Sequence, residues 1–149
     1  MRDDERIMEL GMQGFGCSQI LMRMALEARG ASNPDLVRAV SGLHGGVGFS
    51  GKLCGALTGG ACVLALYGGK GTPEEHEDVS LGPMVASLVE WFEQEYAARF
   101  GGTDCAVILS GDPRNRMSRC PQIVQQVLDR VRETLTVNGF DLARDPRAP

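Results

Sequence analysis

Apolar residues recur at three- and four-residue steps through most of this chain. In the first such stretch, Asp3 to Arg29, Ile7, Leu10, Gly14, Cys17, Leu21, Met24 and Ala28 fall on one stripe. That is the helical period, and it predicts one first helix stopped by Gly30. Gly11, Gly14 and Gly16 interrupt its composition. Each glycine weakens a helix by about 1 kcal/mol against alanine, so the three mark either close packing or room beside Cys17. Asn33-Pro34-Asp35 reads as a cap, a proline at the first helical position and an acid in the first turn. A helix to about Leu43 follows, with Leu36, Val37 and Val40 inward.

A glycine-rich loop, Gly45 to Gly51, then delivers Cys54 to an apolar run ending near Leu66. The run is rich in alanine and leucine and poor in β-branched residues, which favours helix over strand, although Gly59-Gly60 sits inside it. Ser80 caps a predicted helix from Gly82-Pro83 to Phe100, with Val85, Leu88, Val89, Phe92 and Tyr96 as its apolar stripe. Thr103 or Asp104 opens a short helical turn holding Cys105. After the turn-rich stretch Ser110 to Asn115, Arg119-Cys120-Pro121 opens a last helix to about Val137, and the tail 141–149 is expected to be mobile. No strand pattern, repeat or linker emerges. The expectation is an all-α, single-domain bundle of about five helices over residues 1–149.

Composition narrows the function. Of 149 residues, 43% are hydrophobic and only 5% aromatic, so the core is built from Leu, Val, Ala, Met and Ile. The formal charge of −4 is spread without a basic block, and nucleic acid, which needs clustered Lys and Arg, is not an expected partner. The charged start, Met1 to Arg6, leads into no signal-like apolar segment, and Ala56 to Tyr67 is too short to span a bilayer. These features predict a soluble, cytoplasmic protein with no membrane partner.

Five cysteines remain: Cys17, Cys54, Cys62, Cys105 and Cys120. In a reducing compartment they point to metal, redox chemistry or plain burial. None forms the closely spaced pairs of zinc fingers or ferredoxins, so they can act together only if the fold gathers them, as bundle cores do. Cys54 and Cys120 are each expected at a helix N-terminus, where the macrodipole favours a thiolate. Cys17 is expected mid-helix, and Cys62 is read as core packing. Gly46-x-Gly48-x-x-Gly51 matches a dinucleotide fingerprint by letter, but a helix rather than a strand precedes it, and no nucleotide is expected. His44 at the loop edge suits a helix cap, or a base or ligand near Cys54. His76 reads as solvated, and Asp112 with the stretch Arg114 to Arg119, around the approach to Cys120, reads as a solvated loop or as charge that steers a partner or lowers the thiol's pKa.

Taken together, Cys17 in Gly-Phe-Gly-Cys-Ser-Gln, Cys54-Gly55-Ala56-Leu57-Thr58-Gly59, Cys105 and Cys120-Pro121 resemble the redox-active protein family named for its C_GCAxxG_C_C pattern. The resemblance covers roughly residues 5 to 135. One departure is visible: the pattern's Gly-Cys is exchanged to Cys54-Gly55, while the Ala56 to Gly59 spacing is kept. The family is similar to a domain of split-Soret cytochromes, where an iron–sulfur cluster accompanies haem. No Cys-x-x-Cys-His occurs here, so covalent haem is not implied. The resemblance makes Cys17, Cys54, Cys105 and Cys120 the four pattern positions and implies an iron–sulfur cluster, expected to be [2Fe-2S]. Gly14, Gly16, Gly55 and Gly59 would then give space for sulfide and let backbone N–H groups approach it. The protein would transfer electrons with an unidentified redox partner, and a homodimer is allowed. A second reading is metal-free thiol–disulfide chemistry, with Cys54 as nucleophile and Cys17 or Cys120 resolving. A third is a non-catalytic interaction module with inert cysteines.

Overall fold

In the computed structural model, which describes residues 1–149, the periodicities become seven helices. In order these are α1 (Asp3–Met12), α2 (Cys17–Ala28), α3 (Pro34–Val40), α4 (Gly55–Gly68), α5 (Leu81–Phe100), α6 (Cys105–Ile108) and α7 (Asn115–Val137). The only strand-like pairing is an isolated bridge between Leu53 and Asp104. The all-α expectation holds, with seven helices where about five were expected. The two beyond five are α6, the short turn expected to hold Cys105 and capped by Asp104, and one that comes from a break in the first stretch. Gly14 adopts a left-handed φ of +94° and Gly16 is extended at the N-cap of α2, so α1 ends at Met12 and the chain folds back on itself.

Helix α4 lies at the centre because it is apolar nearly all round, as a fully buried helix must be. Leu57, Val63 and Leu64 are at most 2% exposed, and each such burial contributes about 1.5–3 kcal/mol. Its glycines set how close the neighbours come. A side chain on Gly59 would meet Ser18 Cα of α2 at 2.8 Å, and one on Gly60 would meet Val127 Cγ1 of α7 at 2.7 Å. The Gly59-Gly60 pair is therefore a packing face rather than a helix breaker. One cluster of 28 buried residues joins α1, α2, α4, α5 and α7.

The tail differs from expectation. Leu142 is buried, its carbonyl accepts a 2.5 Å hydrogen bond from Tyr67 Oη, and Arg147 donates to Leu66 O at 2.6 Å. Residues 141–147 thus pack against the end of α4 instead of hanging free. No helix is long and apolar enough to cross a membrane.

Across the α1–α2 turn, Glu27 accepts hydrogen bonds from Arg6 at 2.6 and 3.0 Å and from Arg23 at 2.9 Å. The Arg6 bonds, ahead of the rest, hold the Glu27 carboxyl below its ordinary 4.5. A depressed carboxyl contributes stability in full above the unfolded value and loses it as pH falls through the folded one. The melting temperature of the wild type should therefore fall more steeply below about pH 4.5 than that of Glu27→Gln. Parallel curves from pH titrations of thermal unfolding would show that the pair contributes nothing.

Candidate functional site

The loop before Cys54 has an unusual backbone. Five successive residues, Gly45 to Phe49, have φ between +62° and +72°, making a left-handed turn. Lys52 N bonds Gly46 O at 3.0 Å and Gly51 N bonds Gly45 O at 3.1 Å. Any side chain on Gly46 would stand 2.4 Å from Lys52 O and 2.9 Å from Cys105 Cβ, so glycine here lets the loop lie flat against α6. Backbone hydrogen bonds then tie the two cysteine-bearing segments together. Cys54 N donates to Thr103 O (3.1 Å), Cys105 N to Lys52 O (2.7 Å) and Ala106 N to Gly51 O (3.2 Å). Helix α6 is joined in turn to α7, where Asn115 Nδ2 donates to Leu109 O at 2.8 Å and Arg119 to Ile108 O. Ser18, fully buried beside Cys17, donates to Val40 O at 2.8 Å and fixes the start of α2.

These ties gather Cys17, Cys54, Cys105 and Cys120 around one cavity of about 250 Å³. Cys62 is not among its lining residues; it is half-buried against the core, as its position in the apolar run suggested. Gly14, Gly16 and Gly55 line the cavity, whereas Gly59 does not and packs on Ser18 instead. Gly55 brings the start of α4 onto Cys17: a side chain there would meet Cys17 Sγ at 2.6 Å. All five cysteines are free thiols. No three or more His, Cys, Asp or Glu side chains are grouped so as to hold a metal ion. The pattern thiols stand around a space rather than converging on a point.

Two helix-terminus expectations are reversed. Cys17 is the first residue of α2, not mid-helix, because of the break at Gly14–Gly16. Cys120 lies inside α7, which begins at Asn115, and Pro121 sits within the helix rather than opening it. Cys54 is at the N-cap of α4 as expected. Yet burial, together with nearby Cys17, pushes its thiol up to about 12 against the pull of the Ala56 and Leu57 N–H groups. Cys120 is also pushed up to about 12, by burial and then by Cys17 and Cys105. Burial raises Cys17 as well, opposed first by the Gly45 N–H. The thiols are close enough for charge on one to disfavour charge on the next, and Arg116 is the only Lys, Arg, Asp or Glu lining the cavity. In the folded, metal-free protein at about pH 8, Cys54 should resist iodoacetamide, because only a thiolate attacks, while urea-unfolded protein is labelled fully. Rapid modification of folded Cys54, mapped by peptide mass, would contradict this.

The remaining lining is mostly apolar. Phe15, Phe49 and the neighbours Arg116 and Met117 come from three separate stretches of chain, and no local spacing links the three. Phe49 packs on His44 at 4.9 Å between ring centroids, and Arg116 lies 5.5 Å over the Phe49 ring. His44 stands at the C-cap of a 3-10 turn, Ser41–Leu43, as its helix-end position suggested. Its Nδ1 is buried without a hydrogen-bond partner, and burial, then Arg116, holds the imidazole below its ordinary 6.5.

Residues 15–134 match the family model described as "Putative redox-active protein (C_GCAxxG_C_C)". No curated protein and no solved structure gives a match.

Proposed function

This chain belongs to the C_GCAxxG_C_C family of redox-active proteins, and from that premise we propose that it is an electron-transfer protein whose cavity holds an iron–sulfur cluster, [2Fe-2S], on Cys17, Cys54, Cys105 and Cys120. One observation carries the reading: the four pattern cysteines, from three helices and the N-cap of a fourth, line a single cavity, and Cys62 lies outside it. The residues fit such a group in a further respect. Backbone N–H groups of Gly45, Ala56 and Leu57 act on Cys17 and Cys54 and would stabilise the charged, ligating form of the sulfur.

When bound, the cluster supplies one-electron oxidation and reduction. This chain's residues hold it through four sulfurs, shield it with an apolar lining and leave one edge accessible. At that edge Met8, Phe49 and Met117 are exposed, and there a redox partner protein would give or take the electron. The thiol–disulfide reading has less support, since burial disfavours the Cys54 thiolate that it requires.

The test is anaerobic reconstitution of the full chain with ferrous iron and sulfide. Visible absorbance should appear, with iron and acid-labile sulfide bound in equal amounts. A colourless protein without iron would sink the cluster reading.

A further inference from the structure

We propose that His44 is a side-chain hydrogen-bond donor to a sulfur of the bound cluster, and so sets how readily the site accepts an electron; this rests on the cluster reading above. The observation behind it is the buried Nδ1 atom of His44, which has no partner within the protein. Buried polar groups are normally paired, and one that is not calls for a reason.

The ring is held in place with care. A side chain on Gly16 would stand 1.9 Å from His44 Nδ1, so glycine at that position makes room for the imidazole. Phe49 closes another side at 4.9 Å. His44 also lines the same cavity as the four cysteines. Gly16 precedes Cys17 in the chain, and a side chain on Gly55 would meet both Cys17 Sγ at 2.6 Å and His44 Cα at 3.0 Å. The backbone N–H of Gly45, the residue after His44, already acts on the Cys17 sulfur. His44 therefore adds a second donor from the same corner. Hydrogen bonds to cluster sulfurs favour the reduced, more negative form and raise the potential.

The experiment compares reconstituted full-length wild type, His44→Leu and His44→Asn. Asparagine keeps an N–H close to the place of Nδ1. Each protein is titrated with dithionite, which supplies the electron, and is followed by visible absorbance, electron paramagnetic resonance and iron content. His44→Leu should bind as much iron as wild type. Its potential should be lower, with about a tenfold change in the oxidised-to-reduced ratio at fixed potential, or about 59 mV for one electron. His44→Asn should recover most of that shift. Without metal, His44→Leu should melt no lower than wild type, because it removes an unpaired buried atom.

An unchanged potential in loaded His44→Leu overturns the proposal and leaves the cluster reading standing. So does loss of iron, which would make His44 a ligand, and so does an asparagine variant that behaves like leucine. A lower melting temperature of the metal-free leucine variant would reduce His44 to packing. Wild type without iron overturns both readings together.

Discussion

Serine at Cys17, Cys54, Cys105 or Cys120 should lower the iron retained after reconstitution by at least about tenfold, and serine at Cys62 should leave it unchanged. The contrast follows from position. The first four side chains line the cavity and the fifth does not, although all five are free and similar in chemistry. Serine is a poor ligand for iron in place of thiolate, because the soft sulfur donor is what these clusters select. Cys54 needs a second variant. It is only 7% exposed, and a serine hydroxyl there would be buried without an assured partner. Cys54→Ala avoids that cost and should lose iron equally. Circular dichroism and thermal melts of the metal-free variants separate lost ligation from lost folding. Iron loss at Cys62 together with retention at any two pattern positions would overturn the ligand assignment.

Alanine at Gly59 should destabilise the fold, and alanine at Gly60 should do so much less, although both glycines lie in the middle of α4. Alanine gains about 1 kcal/mol of helix propensity at either site. At Gly59 the new methyl would meet Ser18 Cα at 2.8 Å and Ser18 O at 3.3 Å. Those are backbone atoms, so α2 and α4 must move apart, and overpacking of this kind costs about 1–3 kcal/mol. At Gly60 the obstacles are Val127 Cγ1 at 2.7 Å and Leu88 Cδ2 at 3.1 Å, methyl ends that small side-chain shifts can relieve. Calorimetry should show Gly59→Ala melting several degrees below Gly60→Ala, at roughly 2–4 °C per kcal/mol for a chain of this size. Equal melting points would mean that the two helices are not held at contact distance by Gly59.

The helical class was legible because α2, α5 and α7 carry their apolar residues at helical spacing, and burial used most of them, although Val85 and Val89 are only half-buried and Ala28 is exposed. The break between α1 and α2 was not. Ile7 to Ala28 stays in phase across it, and the break lies in the backbone of Gly14, at φ +94°, and of the extended Gly16, which hydrophobic spacing does not report. The start of α7 was misplaced for a similar reason. Pro121 reads locally as a first-turn residue, but the helix begins at Asn115, where Asp112 and Pro113 carbonyls accept the first N–H groups. The order of the cysteines along the chain identified the four that line the cavity. Their ionisation was misjudged, because helix termini can be read from sequence and burial depth cannot. His44 was legible as a candidate base or ligand near Cys54, and Arg116 lies in a stretch named for its approach to Cys120, whereas Phe49 joins the site through packing alone.

The left-handed turn from Gly45 to Phe49 has a consequence for chirality. Val47 and Phe49, with φ of +64° and +62°, hold L-residues in a conformation natural to their mirror images, at about 1 kcal/mol or more each. The ordinary rules of substitution therefore invert across this loop. Glycine, which weakens most of the chain, would relax these two positions, and any larger residue would burden their glycine neighbours. Val47 is half exposed and little in the fold needs its side chain. Phe49 covers His44 and carries Arg116, so its ring offsets the strain of its own backbone. Tolerance to mutation thus becomes a map of handedness, and Phe49 is the one place in the turn where keeping the wrong hand serves the cavity.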